Sequence, residues 1–216
     1  MILACTAETI ETRTLHMKKT LALLLALLLL CGCGAAKTPL EQTAAYLKKA
    51  TPEPAFGSLT GYWTEFGLAP SDVKDNEKYY STYYKNVEAA VAEKGGRLSE
   101  TKYTEYSRLV LSLTAIGRDP RDVGGYDLLV PLADLDRVTA QGVNGAVFAL
   151  LALDSAKYEI PENPDAAVQA TREGYVEEIL SRQNEDGGWS LAGGQSDCDL
   201  TAMALQALAP YADGQA

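Results

Sequence analysis

The chain has 216 residues and carries 29 acidic against 19 basic side chains, a formal net charge of −10. A surface this acidic repels polyanions and anionic headgroups, which excludes an electrostatic nucleic-acid binder or a membrane-surface protein held by charge. No nucleic-acid partner is expected.

Residues 1–16 carry Glu8 and Glu11, where an export signal should be basic. Met17 is therefore the expected start, and residues 1–16 read as a gene-model extension. Met17-Lys-Lys-Thr, the apolar run Leu21–Leu30 and the small residues after it form an export signal over 17–32. The apolar run is well short of the roughly 20 residues that span a bilayer. Leu30-Cys-Gly-Cys33 resembles a bacterial lipobox, which implies acylation of Cys33 and a tether over 33–38. The protein would then be exported and held through lipid on the outer face of the cytoplasmic membrane. An uncleaved short anchor is the alternative. Losing Arg13, Lys18, Lys19, Glu8 and Glu11 moves the net charge from −10 to −11. Of Cys5, Cys31, Cys33 and Cys198, only the last two survive processing. No intramolecular disulfide remains, so about 180 residues must fold on their core alone.

The rest, 39–216, reads as helices. Segments 39–50, 77–94, 124–138 and 166–182 have one polar face. In the last, Val168, Tyr175, Ile179 and Leu180 fall near one side, with Arg172, Glu173, Glu177 and Arg182 toward water. Pro131 is expected to kink or split the helix at 124–138. Between these lie segments that are apolar nearly all round, as buried helices are. A weak one runs over 58–69 around Trp63, Phe66 and Leu68. Three stronger ones, 107–116, 144–153 and 199–208, align without gaps, their starts 37 and 55 residues apart. The proline-rich stretch Tyr158–Asp165 accounts for most of the longer gap. Stops at Thr51-Pro-Glu-Pro, Lys94-Gly-Gly, Gly117-Arg-Asp-Pro and Val123-Gly-Gly punctuate the series. No stretch alternates strictly enough for a strand, so the fold class is all-α.

The motif Gln183-Asn-Glu-Asp-Gly-Gly-Trp189 lies between two helical patterns and precedes Asp197-Cys-Asp-Leu-Thr-Ala202. Adjacent glycines allow tight bends, and an indole fills a gap while donating its N–H. Gln-x-x-x-Gly-x-Trp followed by Asp-x-Asp-x-Thr-Ala resembles the QW repeat of the prenyltransferase and squalene-cyclase family. The resemblance covers 39 to 211 and is strongest from Tyr103 onward. It implies an α/α toroid of helical hairpins, with an inner ring of buried helices inside an outer one. About four hairpins are present where the family has five to six. The ring is accordingly expected to be incomplete, leaving an apolar flank on its last helix or needing a C-terminal domain or partner chain. In this corner Gln183 would satisfy backbone groups at the end of the outer helix, Gly187 and Gly188 would turn the chain, and Trp189 would pack it.

The aligned inner helices begin at Ser107, Asn144 and Asp199. Helix capping is the simple role for all three; the functional alternative is that they rim a cavity and touch its ligand. Protonation-initiated cyclases of the family carry Asp-x-Asp-Asp before Thr-Ala, which implies Asp199 as a general acid and Asp197 as its companion. Leu200 stands where the third Asp belongs. The family's prenyltransferase branch binds zinc through Asp, Cys and His, but the only histidine, His16, lies in the leading extension. No metal and no cofactor are expected, and Cys198 reads as a buried structural thiol. Asp134, Asp136, Asp119 and Asp122 read as caps and solvated turns.

Two functions follow. The first is a non-catalytic envelope lipoprotein whose toroid binds a ligand or partner. Secreted bacterial proteins with such repeats, and more distantly cobalamin carriers, imply a small apolar or corrinoid ligand. The second is an isoprenoid-processing enzyme using Asp199.

Overall fold

A computed structural model describes residues 17–21, 37–57, 61–71, 73–74 and 76–212. The lipobox, with Cys31 and Cys33, and the extension 1–16 lie outside the described residues. Two compact units divide between Gln42 and Thr43. The first holds a helical turn at 17–21 and the start of α1 (Pro39–Ala50). That start is a reciprocal capping box. The Thr38 hydroxyl accepts from Glu41 N–H at 3.2 Å, and the Glu41 carboxylate accepts from Thr38 N–H at 2.7 Å.

The second unit continues with α2 (Gly61–Leu68), α3 (Glu77–Glu93), α4 (Thr104–Ala115), α5 (Leu135–Thr139), α6 (Val143–Asp154), α7 (Arg172–Ser181) and α8 (Cys198–Leu208). Short 3₁₀ turns span Val130–Ala133 and Ala209–Tyr211. Among the described residues there is no strand, only the isolated bridges Val123–Tyr126 and Asp134–Gln169. The protein is all-α.

Helices α2, α4, α6 and α8 pack in succession, each on the next, and α7 packs against α6. The core follows from that order. On α6, Ala146, Val147, Ala149, Leu150, Ala152 and Leu153 are all fully buried. Helix α3 contributes one face only, through Tyr83, Val87 and Val91, and the Tyr83 phenol meets the Ser112 hydroxyl of α4 at 2.8 Å. Small residues let α5 and α6 come close. A Cβ at Gly145 would stand 1.9 Å from the Val138 carbonyl oxygen, so only glycine fits there. On the far side of the series, Leu180 of α7 and Leu205 of α8 are 50% and 56% exposed.

Several local expectations are corrected. The helix expected at 124–138 is split further than Pro131 alone would require. Gly124 and Gly125 adopt left-handed backbone at φ 61° and 87° and turn the chain at the Val123–Tyr126 bridge. Pro131 then opens the 3₁₀ turn, and Asp134, extended at ψ 97°, caps α5 by accepting from Arg137 N–H at 3.2 Å. The helix expected from 166 starts only at Arg172. Residues 168–170 are held extended beside 133–135, through Leu135 N–H to Val168 O at 2.9 Å and Ala170 N–H to Ala133 O at 2.8 Å. Thr171 caps α7 through Gly174 N–H. Val168 and Leu180 are thus exposed, Tyr175 and Ile179 are buried, and Arg172 is ion-paired to Asp154 at 2.8 Å rather than free in water.

Candidate functional site

The QW-like corner joins α7 to α8. Gly187, at φ 85°, turns the chain, and Gly188 lies where a Cβ would come within 2.5 Å of the Ser196 hydroxyl and 2.8 Å of the Thr201 hydroxyl. Trp189 is 1% exposed; its indole N–H donates to Ile179 O at 2.7 Å and its backbone N–H to Thr201 Oγ1 at 2.9 Å. The Gln183 amide donates to Gly187 O at 2.7 Å. That places it within the turn, one element later than the helix end expected for it. Asp186 closes the loop by accepting from Gly188 N–H, Ser196 N–H and the Ser196 hydroxyl, and these hydrogen bonds hold its carboxyl below the usual range.

The capping role expected of Ser107, Asn144 and Asp199 is overturned. The caps are Tyr103, Gly142 and Asp197, and only Asp197 caps through its side chain, accepting from Leu200 N–H at 2.8 Å. Ser107 lies a turn inside α4, fully buried, its hydroxyl without a partner among the described residues. The gapless alignment hides this because α4 begins at Thr104, a turn earlier than its apolar run.

Asn144 and Asp199 do come together. With Asp197, Leu200, Met203 and Leu191 they line an open depression of about 510 Å³ between α6 and α8. Asp197 and Asp199 are both exposed. Cys198 is exposed too, contrary to the buried thiol expected, because it faces out at the first position of α8; its sulfur lies 3.8 Å from Asp199 Oδ1. Among the described residues no cluster of His, Cys, Asp and Glu could hold a metal.

The depression is one end of a longer, half-buried face on α4 and α6. On α4 the less buried positions Glu105, Arg108, Leu111 and Ala115 share a side; on α6, Asn144, Leu151 and Asp154 do. Two contacts stitch the face across helices. The Tyr62 hydroxyl of α2 donates to Glu105 Oε2 at 2.5 Å, and the Arg108 guanidinium lies over the Phe148 ring at 5.1 Å. Burial, then the bond to Glu105, push the Tyr62 phenol far up, so it remains a donor. Trp63 and Phe66, 52% and 41% exposed, stand edge to face with 6.2 Å between rings on α2. The charged residues had no role in the sequence reading, and Trp63 and Phe66, expected on a buried segment, are instead exposed, with Leu68 alone of that trio buried. The available signal was Glu105 and Arg108, two charges three apart on a helix otherwise uncharged.

Another recess, of about 770 Å³, lies around Tyr103, Tyr126, Asp127, Asp134 and Arg137. Its polar groups satisfy one another. Arg137 pairs with Asp134 at 3.3 Å and donates to Tyr103 OH at 3.1 Å, and the Tyr106 hydroxyl accepts from Leu98 N–H at 2.9 Å. Burial raises Asp127 above the usual carboxylate range, and its carboxylate accepts from Leu129 N–H at 2.8 Å.

Compared with protein families, with curated proteins and with solved structures, the chain matches none of them.

Proposed function

We propose that this protein is an exported lipoprotein, anchored through Cys33, whose helices form an incomplete α/α toroid and bind a ligand or partner without transforming it. The observation that carries the reading is the face running from Tyr62 through Arg108 and Phe148 to Asn144 and Asp199. Aromatic, apolar and isolated polar groups alternate along it, the composition of a binding surface rather than of a reaction centre. The packing of α2, α4, α6 and α8 in succession, with polar-faced helices between them in the chain, supports the toroid. So does the Gln183–Trp189 corner with the Asp197 cap behind it.

The acid–base alternative draws no support from Asp199. A carboxyl that protonates an unactivated substrate needs a dry cavity and neighbours that keep its proton strongly acidic. Asp199 is exposed at the edge of an open depression, and Asp197 is committed to the helix start.

Native mass spectrometry of the mature protein with cobalamin and with a polyprenyl diphosphate tests the reading. A ligand retained at unchanged mass, with protection from hydrogen exchange along α4 and α6, is the expected result. Release of diphosphate would instead establish an enzyme. Metabolic labelling with palmitate, compared between the native chain and Cys33→Ser, checks the anchor; equal labelling would remove it.

A further inference from the structure

Seven arginines lie within the described residues, and six of them pair with a carboxylate: Arg97, Arg118, Arg121, Arg137, Arg172 and Arg182. Arg108 alone forms no ion pair among the described residues. In a protein with 29 acidic side chains this is not for want of acids. Glu105, three residues earlier on the same helix, is placed for an i,i+3 pair. Its carboxylate takes the Tyr62 hydroxyl instead. Arg108 is half-buried, and its Nε is shut off from water with no acceptor among the described residues. A guanidinium held in that way carries the desolvation cost of a charge without the hydrogen bonds that offset it. The Phe148 ring, 5.1 Å from the guanidinium carbon, supplies one favourable contact.

We infer that Arg108 is the anchor for the carboxylate of a small monoanionic ligand, whose apolar body lies along Leu111, Phe148 and Leu151. This rests on the ligand-binding reading of the face along α4 and α6 and deepens it. The planar fork of a guanidinium matches a carboxylate with two parallel hydrogen bonds. A single cation in a strongly acidic surface accepts one negative charge and repels a di- or trianion, so a diphosphate is the wrong partner. Leu111 and Leu151, partly buried against the core one turn after Arg108 and Phe148 on their helices, give the body of the ligand an apolar floor.

The probe is decanoate, with decan-1-ol and decyl phosphate beside it, titrated calorimetrically into the native protein, Arg108→Gln and Arg108→Lys. Circular dichroism verifies that each variant is folded. The native protein should bind decanoate more tightly than either comparison compound. Arg108→Gln should weaken decanoate by about tenfold or more while leaving decan-1-ol unchanged, since a charged hydrogen-bonding partner is lost. Arg108→Lys should fall between, because the charge stays and the fork goes. If Arg108→Gln does not fold, Arg108→Lys carries the test. Decanoate binding equal in all three proteins overturns the anchor but leaves the face a binding surface. Preference for decyl phosphate overturns the choice of carboxylate. Absence of decanoate binding overturns the anchor outright, and the binding reading itself then stands or falls on hydrogen-exchange protection with the other ligands.

Discussion

Glu65 sits on α2 with none of its surface exposed, and neither carboxylate oxygen has a hydrogen-bond partner among the described residues. The groups that sense its charge are the phenols of Tyr79, Tyr80 and Tyr83 on α3, each raised partly by Glu65. Among the described residues no cation compensates it, and burial pushes its pKa up to about 8 from an ordinary 4.5. The native state thus keeps the proton while the unfolded chain releases it above pH 4.5. Native stability from this group is complete below that value and is lost as pH rises through about 8. The loss runs at about 1.4 kcal/mol per pH unit, on the order of 3 kcal/mol by pH 7. Glu65→Gln stays neutral throughout. Urea unfolding of both proteins from pH 4.5 to 8.5 should give similar stabilities at the acid end and a gap that widens steadily in favour of the variant. Other carboxylates contribute equally to both curves and cancel in the difference. Parallel curves would refute the reasoning, for they would mean that the carboxylate reaches water or a partner.

Trp189→Ala should cost about 3–5 kcal/mol in chemical denaturation, the range for a large aromatic lost from a core, with the Ile179 carbonyl also left without its donor. A loss under about 1 kcal/mol would contradict the packed corner. Gly145→Ala forces a Cβ against the backbone oxygen of Val138 and should destabilise by about 1–3 kcal/mol or more, as overpacking does; an unchanged melting midpoint would disprove that close approach. Asp197→Ala should cost about 1 kcal/mol through loss of the cap, whereas Asp199→Ala should fall within about 0.5 kcal/mol of native. Equal effects at the two positions would reverse their assignment.

Helix identity was readable because apolar runs such as Ala146–Leu153 are buried at every position but Leu151. Boundaries were less readable where the decisive partner is distant in sequence. Residues 168–170 have nothing unhelical in their composition, yet pairing with 133–135 holds them extended. Thr171 had the side chain of a helix cap, but one threonine does not outvote a helical pattern until its tertiary neighbours are known. The corner was legible because its chemistry is local: glycine conformations and a tryptophan within seven residues. The face along α4 and α6 was not, because it depends on which helices adjoin. Arg108 stands out only once Glu105 is found bonded to Tyr62, 43 residues away.

Asp154 closes α6 and binds two later elements at once. One carboxylate oxygen takes Arg172 of α7 at 2.8 Å and the other takes Tyr211, beyond α8, at 2.7 Å. Arg172 also donates to the carbonyls of Leu153 and Tyr158 at 3.2 and 2.8 Å. Fraying of the last hairpin would therefore strand a half-buried charge on α6, so opening there is coupled to opening of the central helix. Slow amide exchange at the end of α8 should track that of α6, making the two a single cooperative unit rather than a stable core with a loose tail.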